Sequence, residues 1–215
     1  MASLQTKSSS GSPRALCLTP MTRIKLDEVS RIDNAALEQL SELLVRVVAT
    51  GAAVSFLHPL PFAEARDYWT GVLRPGVFLV TASADKSADR PETSGSTAPH
   101  SQQIVGTVQL HLAGQPNGMH RADIAKMMVD PEWQRRGVGR ALLDRAEEIA
   151  LREGRTTLIL DTEAGAPSNR LYLSAGWREV GRIPEYARSS SGGLHSTVYY
   201  AKWLAPDGSG REPIP

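Results

Sequence analysis

The sequence predicts a mixed α/β domain, with a central sheet of about six or seven strands and helices on both faces. Three observations carry this. Segments of alternating or continuous apolar character interleave with segments of helical periodicity, in the order β-α-α-β-β-β-α-β-α-β-β. Residues 104–112 and 122–129 read as consecutive strands joined by a Gly- and Pro-containing turn. Residues 156–161 are short and largely apolar, as expected of a strand buried on both faces.

The elements follow in order. Residues 20–28 can form a first strand with Thr22, Ile24 and Leu26 inward and Arg23 and Lys25 in water. Leu37, Leu40, Leu44, Val47 and Val48 then recur at helical spacing, with Asp33 or Asn34 as N-cap and Gly51 as stop. Beyond the proline-containing residues 58–61, a short helix carries Ala65, Tyr68, Trp69 and Val72 and ends before Pro75. Residues 77–82 read as a strand. Residues 83–103 are rich in Ser, Asp, Thr and Pro and are expected to be a flexible insertion. A helix over 138–153 places Val138, Leu142, Ala146, Ile149 and Ala150 on one face, with Gly154 after it. A helix around 166–175 and two strands, 177–183 and 198–204, complete the domain. The expected boundaries are a loose tail at 1–18, one domain at 19–204 and a second loose tail from 205.

Composition limits what such a domain can do. A chain of 215 residues with 41% hydrophobic content can bury one good core. Its 24 Lys and Arg against 23 Asp and Glu create no bulk field toward nucleic acid or membrane, so neither is expected as a partner. Cys17 is the only cysteine, which excludes an internal disulfide and suits a reducing compartment. Residues 1–13 lack the apolar core of a signal peptide, and Arg46 interrupts the longest apolar run. A cytoplasmic protein is the expectation. The five histidines show no metal spacing, and no metal is expected.

The most informative stretch is Val129-Asp130-Pro131-Glu132-Trp133-Gln134-Arg135-Arg136-Gly137-Val138-Gly139-Arg140. A strand leads into an Arg/Gly loop that opens a helix. Unpaired amides and the helix dipole there favour an anion, and Arg135, Arg136 and Arg140 add full positive charges. Arginine opposes the dipole at that end, so three of them call for an anionic partner. The spacing fails a P-loop, because Arg140 and Ala141 follow Gly139 where Lys and Ser/Thr are required. It also fails the dinucleotide fingerprint, because Leu142 stands at the third glycine.

Gln134-x-x-Gly137-x-Gly139, preceded by Met127-Met128-Val129 and Asp130-Pro131, resembles the acyl-CoA loop of the GNAT superfamily of N-acetyltransferases. Leu171-Tyr172-Leu173-Ser174-Ala175-Gly176-Trp177 resembles that family's second signature, and the likeness spans roughly residues 104–204. Within the superfamily, residues 161–165 and 181–184 are similar to the tabtoxin-resistance branch, which acts on small molecules. The resemblance implies the GNAT fold and acetyl-CoA as cosubstrate, held in a gap between the strands ending at Val129 and Asp161. Backbone of Met127, Met128 and Val129 would pair with the pantetheine arm. Gln134, Arg135, Arg136, Gly137, Val138, Gly139 and Arg140 would hold the pyrophosphate, and a Cβ at either glycine would push it away. Some members carry an asparagine where Gly165 stands, and Asn169 is taken as its substitute on the cofactor side.

For the chemistry, Tyr172 sits at the family's acid position, and a phenol near pKa ~10 stays protonated at neutral pH. Asp161 is the first candidate for the base, with Glu163, Asp123 and His120 as alternatives. His111 reads as a packed or surface residue. The acceptor pocket is expected from residues 58–62, Tyr68, Trp69, Pro184, Glu185, Tyr186 and Arg188. The expected function is acetyl transfer to a primary amine of a small molecule such as an amino acid or antibiotic. A protein N-terminal or lysine acetyltransferase is the second reading, a non-catalytic acyl-CoA sensor the third and a nucleotide-binding dehydrogenase the fourth. A homodimer stays open.

Overall fold

The structure, a computed structural model, describes residues 24–52, 54–85, 102–189 and 192–205. Its strands are β1 (Lys25–Val29), β2 (Val77–Asp85), β3 (Gln102–Leu112), β4 (Arg121–Val129), β5 (Thr157–Glu163), β6 (Arg178–Arg188) and β7 (Leu194–Trp203). The helices are α1 (Asn34–Ala49), α2 (Phe62–Thr70), α3 (Val138–Arg152) and α4 (Ser168–Ser174). The strands form one sheet in the order β1-β2-β3-β4-β5-β7-β6. Every neighbouring pair is antiparallel except β4 and β5.

Side-chain alternation splits the sheet into two faces. On one, Val80, Val108, Leu110, Ala122, Ile124 and Leu158 pack against Leu142, Leu143, Ala146 and Ile149 of α3 and against Tyr172 of α4. On the other, the apolar stripe of α1 and Trp69 of α2 cover Leu79, Ile104 and Met128. This is the expected fold class, with helices on both faces. Asp33 caps α1 by accepting the amide of Ala36 at 2.8 Å, which stabilises such a helix by about 1 kcal/mol. Beneath α3, the half-charged cluster Glu147–Lys202–Trp177 is buried, with Lys202 Nζ 2.6 Å and Trp177 Nε1 3.1 Å from the carboxylate. It ties α3 to β7 and to the start of β6.

Several boundaries differ from expectation for physical reasons. Residues 83–85 and 102–103 are strand, because β2 and β3 keep pairing outward to Asp85 and Gln102. The rest of the expected insertion, 86–101, lies outside the described residues, as do Thr22, Arg23 and both expected tails up to residue 23 and from 206. β6 runs through Pro184, where the sequence suggests a stop. β6 is an edge strand, so a proline lacking its N–H costs no ladder bond there. The register shifts between Ile183 and Ala187 absorb the kink.

Two irregularities position the site. β4 and β5 pair at only three rungs, Arg121–Thr157, Ala122–Leu158 and Asp123–Ile159, and then diverge. β4 also carries a bulge: Thr107 faces Met128 while Gln109 faces Ala125, leaving one extra residue on β4. Lys126 sits in that bulge with φ +47°, and Thr107 Oγ1 donates to its carbonyl at 3.0 Å.

Candidate cofactor and acceptor site

Beyond the Asp123–Ile159 rung, residues 124–129 of β4 and 160–163 of β5 have no ladder between them. The inner edge of Met127–Val129 is therefore a row of backbone groups unpaired toward β5. Their side chains stay occupied elsewhere: Met128 is packed under α1, and Met127 and Val129 pack against the main core. The backbone of these three therefore remains available to a ligand on that edge.

At the end of β4, Asp130 organises the turn into α3. Its carboxylate accepts the amide of Glu132 at 3.0 Å and pairs with Arg46 of α1 at 2.9 Å. Gln134 folds back toward the carbonyl of Val129 at 3.4 Å. Arg135 and Gly137 both have left-handed backbone, φ +60° and +83°, which turns the chain sharply into the helix. Gly137 is the N-cap and contributes no side chain, so the first-turn amides of α3 point outward uncapped. Arg136 lies over the Trp133 ring at 4.9 Å. The side chain of Val138 is buried in the core, leaving only its backbone for a ligand.

Two of the expected ligand residues also have partners within the chain. Arg140 is committed to Asp144 at 2.7 Å and to the carbonyl of Ser174 at 3.3 Å, so it ties α3 to α4. Asn169 donates to the carbonyls of Glu163 and Ala166, at 2.9 and 2.8 Å, and accepts the hydroxyl of Tyr200 at 2.8 Å. Its side chain thereby holds the β5–α4 loop. The glycines also have reasons within the chain itself. A Cβ on Gly137 would meet no atom within 4 Å, so its backbone angle demands glycine; one on Gly139 would meet Leu171 at 3.1 Å.

Tyr172 of α4 is buried, packed on Trp177 and Tyr200 with ring centroids 6.1 and 5.8 Å away. Burial raises its hydroxyl well above the usual phenol value, and the charges of Asp161 and Tyr200 add to the rise. Asp161 is exposed on β5, where Thr197 of β7 donates to it at 2.9 Å. Of the alternative carboxylates, Glu163 is taken up by His195 at 2.6 Å. His120 lies at the far end of β4, its carbonyl accepting the amides of Thr156 and Thr157. Asp123 shares the face of Asp161. Burial raises its carboxyl although water reaches it, Arg121 and His111 oppose the rise, and Asp161 adds to it.

The sequence and the fold match known proteins. The family model described as Acetyltransferase (GNAT) family matches residues 62–177, just over half of the chain. The chain belongs to the GNAT family. It is an acyl-CoA-dependent N-acetyltransferase, and acetyl-CoA is its cosubstrate. The acetyltransferase superposes on the GCN5-related N-acetyltransferase from Kribbella flavida with TM-score 0.64 and 21% identity, covering 84% of this chain and 98% of that one. A candidate phosphinothricin N-acetyltransferase gives TM-score 0.63 at 17% identity, covering 85% and 99% of the two chains. A candidate acetyltransferase from Salmonella typhimurium, solved with acetyl-CoA, gives 0.63 at 17% identity, covering 90% and 98%.

On the sheet face under α2, the acetyltransferase gathers polar groups that the sequence only partly reveals. Tyr68 bonds to Gln109, and Gln109 to His111. Lys126 donates to the carbonyl of Val54 at 2.9 Å and lies over the rings of Phe56 and Tyr68. Burial lowers its ammonium pKa, with Asp161 opposing. Tyr186 reaches from β6 to bond the hydroxyl of Tyr199 at 2.9 Å. Tyr68 and Tyr186 were expected on this face, whereas Trp69 is fully buried core. Gln109, Lys126 and Tyr199 had no motif to mark them; only strand alternation could have put Gln109 and His111 on one side. Among the described residues, no three potential ligands assemble a metal site, and no helix is long and apolar enough to cross a membrane.

Proposed function

We propose that this acetyltransferase moves the acetyl group of acetyl-CoA to a primary amine of a small molecule. The observation that carries the reading is the gap itself: unpaired backbone of Met127–Val129 leads to the uncapped start of α3, where Gly139 approaches both Val129 and Leu171, the chain neighbour of Tyr172. These groups fit the cosubstrate, offering strand-like pairing to an amide-bearing arm and a socket for a pyrophosphate. The acceptor side is walled by Tyr68, Lys126, Asp123, Asp161 and the Tyr186–Tyr199 pair. Such a mixed aromatic and charged wall suits a small polar amine.

Acetyl-CoA supplies an activated acetyl carbon, which the amine attacks as the C–S bond breaks. Tyr172 then gives its hydroxyl proton to the departing sulfur and regains one from the amine nitrogen as the amide forms. Its raised pKa ensures that the proton is present at neutral pH. Asp161, anchored by Thr197, supplies negative charge on the acceptor side and holds the incoming ammonium group. The first-turn amides of α3 keep the cosubstrate in place without moving any proton.

The test is a thiol-release screen with acetyl-CoA against two panels. One holds the common amino acids, phosphinothricin and putrescine; the other holds peptides with free N-terminal alanine or internal lysine. Turnover of a small amine with none on peptides supports the proposal. Peptide turnover alone moves the assignment to a protein acetyltransferase, and coenzyme binding without any thiol release makes the protein a sensor.

A further inference from the structure

We propose that His111 takes the proton from the acceptor's ammonium group, with Gln109 and Tyr68 fixing the tautomer that allows it. The inference rests on the acetyl-transfer reading above and names the base that the reading leaves open.

His111 and Gln109 lie two apart on β3 and so share a face, and His111 is the cross-strand partner of Asp123. Gln109 is fully buried, and its amide nitrogen donates to the hydroxyl of Tyr68 at 2.8 Å. Its amide oxygen lies 3.2 Å from the same Tyr68 hydroxyl, which can donate to it, and 2.9 Å from His111 Nε2. A carboxamide oxygen can only accept, so Nε2 must carry the hydrogen. The neutral ring then keeps its lone pair on Nδ1. A buried amide thus selects which imidazole nitrogen is basic, the orienting device that nucleophile–base pairs use elsewhere.

The charged groups facing the ring come from three places. Asp123 and Lys126 lie on β4, Arg74 precedes β2, and Tyr68 caps the relay from α2. Burial lowers the imidazole pKa, Arg74 and Lys126 lower it further, and Asp123 opposes them. The ring is consequently neutral and able to accept at neutral pH. Once protonated, it is an imidazolium beside the Asp123 carboxylate. An imidazole is by nature the closer match to an amine than a carboxylate is, although burial lowers the ring and raises Asp123 and so narrows the difference. Lys126 is no substitute, since its ammonium already donates to Val54 and rests on two rings.

The step balances. One N–H bond of the ammonium breaks, its electron pair stays on nitrogen as the nucleophile, and the hydrogen bonds to Nδ1. The imidazolium later releases that proton to water. The second amine proton replaces the one Tyr172 gives to sulfur.

The experiment has two arms on the full chain. In the first, ¹⁵N-histidine NMR, with His111 assigned through His111→Gln, reads the tautomer and the titration. The expected result is Nε2–H with unprotonated Nδ1, titrating below the usual imidazole value and lower still in Asp123→Asn. An Nδ1–H tautomer overturns the proposal whatever the activity. In the second, kcat/KM is followed against pH with the amine of the panel above that is turned over fastest. His111→Gln should lose about 10²- to 10⁴-fold at pH 7 with unchanged CoA affinity. The deficit should shrink as pH approaches the amine's own pKa, where solvent supplies the neutral nucleophile. A variant within threefold of wild type across the range overturns the proposal and leaves acetyl transfer standing. If His111→Gln does not fold, Gln109→Met keeps the ring and should release a mixture of tautomers with a partial loss of rate. Wild-type protein that acetylates no amine removes the underlying reading, and this inference with it.

Discussion

Tyr172 concentrates the residue-scale argument, because one side chain serves both chemistry and packing. Its ring is buried between Trp177 and Tyr200, so Tyr172→Phe keeps the shape and removes only the proton donor. Thiol release should fall about 10²- to 10³-fold while calorimetric CoA affinity holds. Unchanged turnover would remove the hydroxyl from the mechanism. The same burial has an alkaline consequence. The folded pKa is raised, so the unfolded chain ionises this tyrosine first, near pH ~10. The stability it contributes is complete below that pH and is lost as pH rises further. The melting temperature of wild type should therefore drop more steeply above pH 10 than that of Tyr172→Phe. Tyr199, pushed up to about 12 mainly by its bond to Tyr186, is largely exposed and should add little.

Among elements, α3 is where loop geometry and core packing meet. Gly137 has left-handed backbone and open space, so Gly137→Ala should cost about 1 kcal/mol in urea denaturation through conformation alone. Gly139→Ala meets only the flexible tip of Leu171 and should be milder; Gly139→Ile should force α4 away and weaken CoA binding in calorimetry. Lower on the same helix, Glu147→Ala leaves Lys202 buried without its carboxylate. That loss should cost about 3–5 kcal/mol, whereas replacing both partners with apolar residues of similar volume should cost far less. Chemical denaturation of the single and double variants checks the pair. Much of this level was readable from the chain. The helical spacing of Leu37, Leu40 and Leu44, the Asp33 cap and the start of α3 at Val138 all follow from local rules, and all occur. The bulge at Lys126 does not follow from them, because nothing local marks a lysine for positive φ; it arises from how β4 pairs with Thr107 and Gln109. The relay from Tyr68 to His111 escaped for a similar reason, since it joins α2 to β3 across 41 residues of chain. A linear motif likewise does not show that Arg140 and Asn169 bond to Asp144, Ser174 and Tyr200 within the chain.

For the whole molecule, the parallel junction is the decisive feature. Strands β1–β4 and β5–β7 share one sheet through three rungs only. A cosubstrate lying along Met127–Val129 would supply the pairing that the chain omits. Hydrogen exchange should therefore slow at those amides and at the first turn of α3 when CoA is added. Saturation at 100 times Kd should raise stability by about 2.7 kcal/mol, visible as a concentration-dependent melting temperature. NAD at the same concentration should do neither.

That junction makes occupancy a matter of durability as well as catalysis. The sheet is continuous here through only three rungs, although the core under α3 joins both sides, and the molecule that the enzyme consumes would add pairing to that seam. A cell starved of acetyl-CoA and CoA would hold this protein in its least protected form, more open to unfolding and proteolysis. Its abundance would then track the acetyl supply with no dedicated regulator, and substitutions that loosen the seam would do most harm when that supply is low.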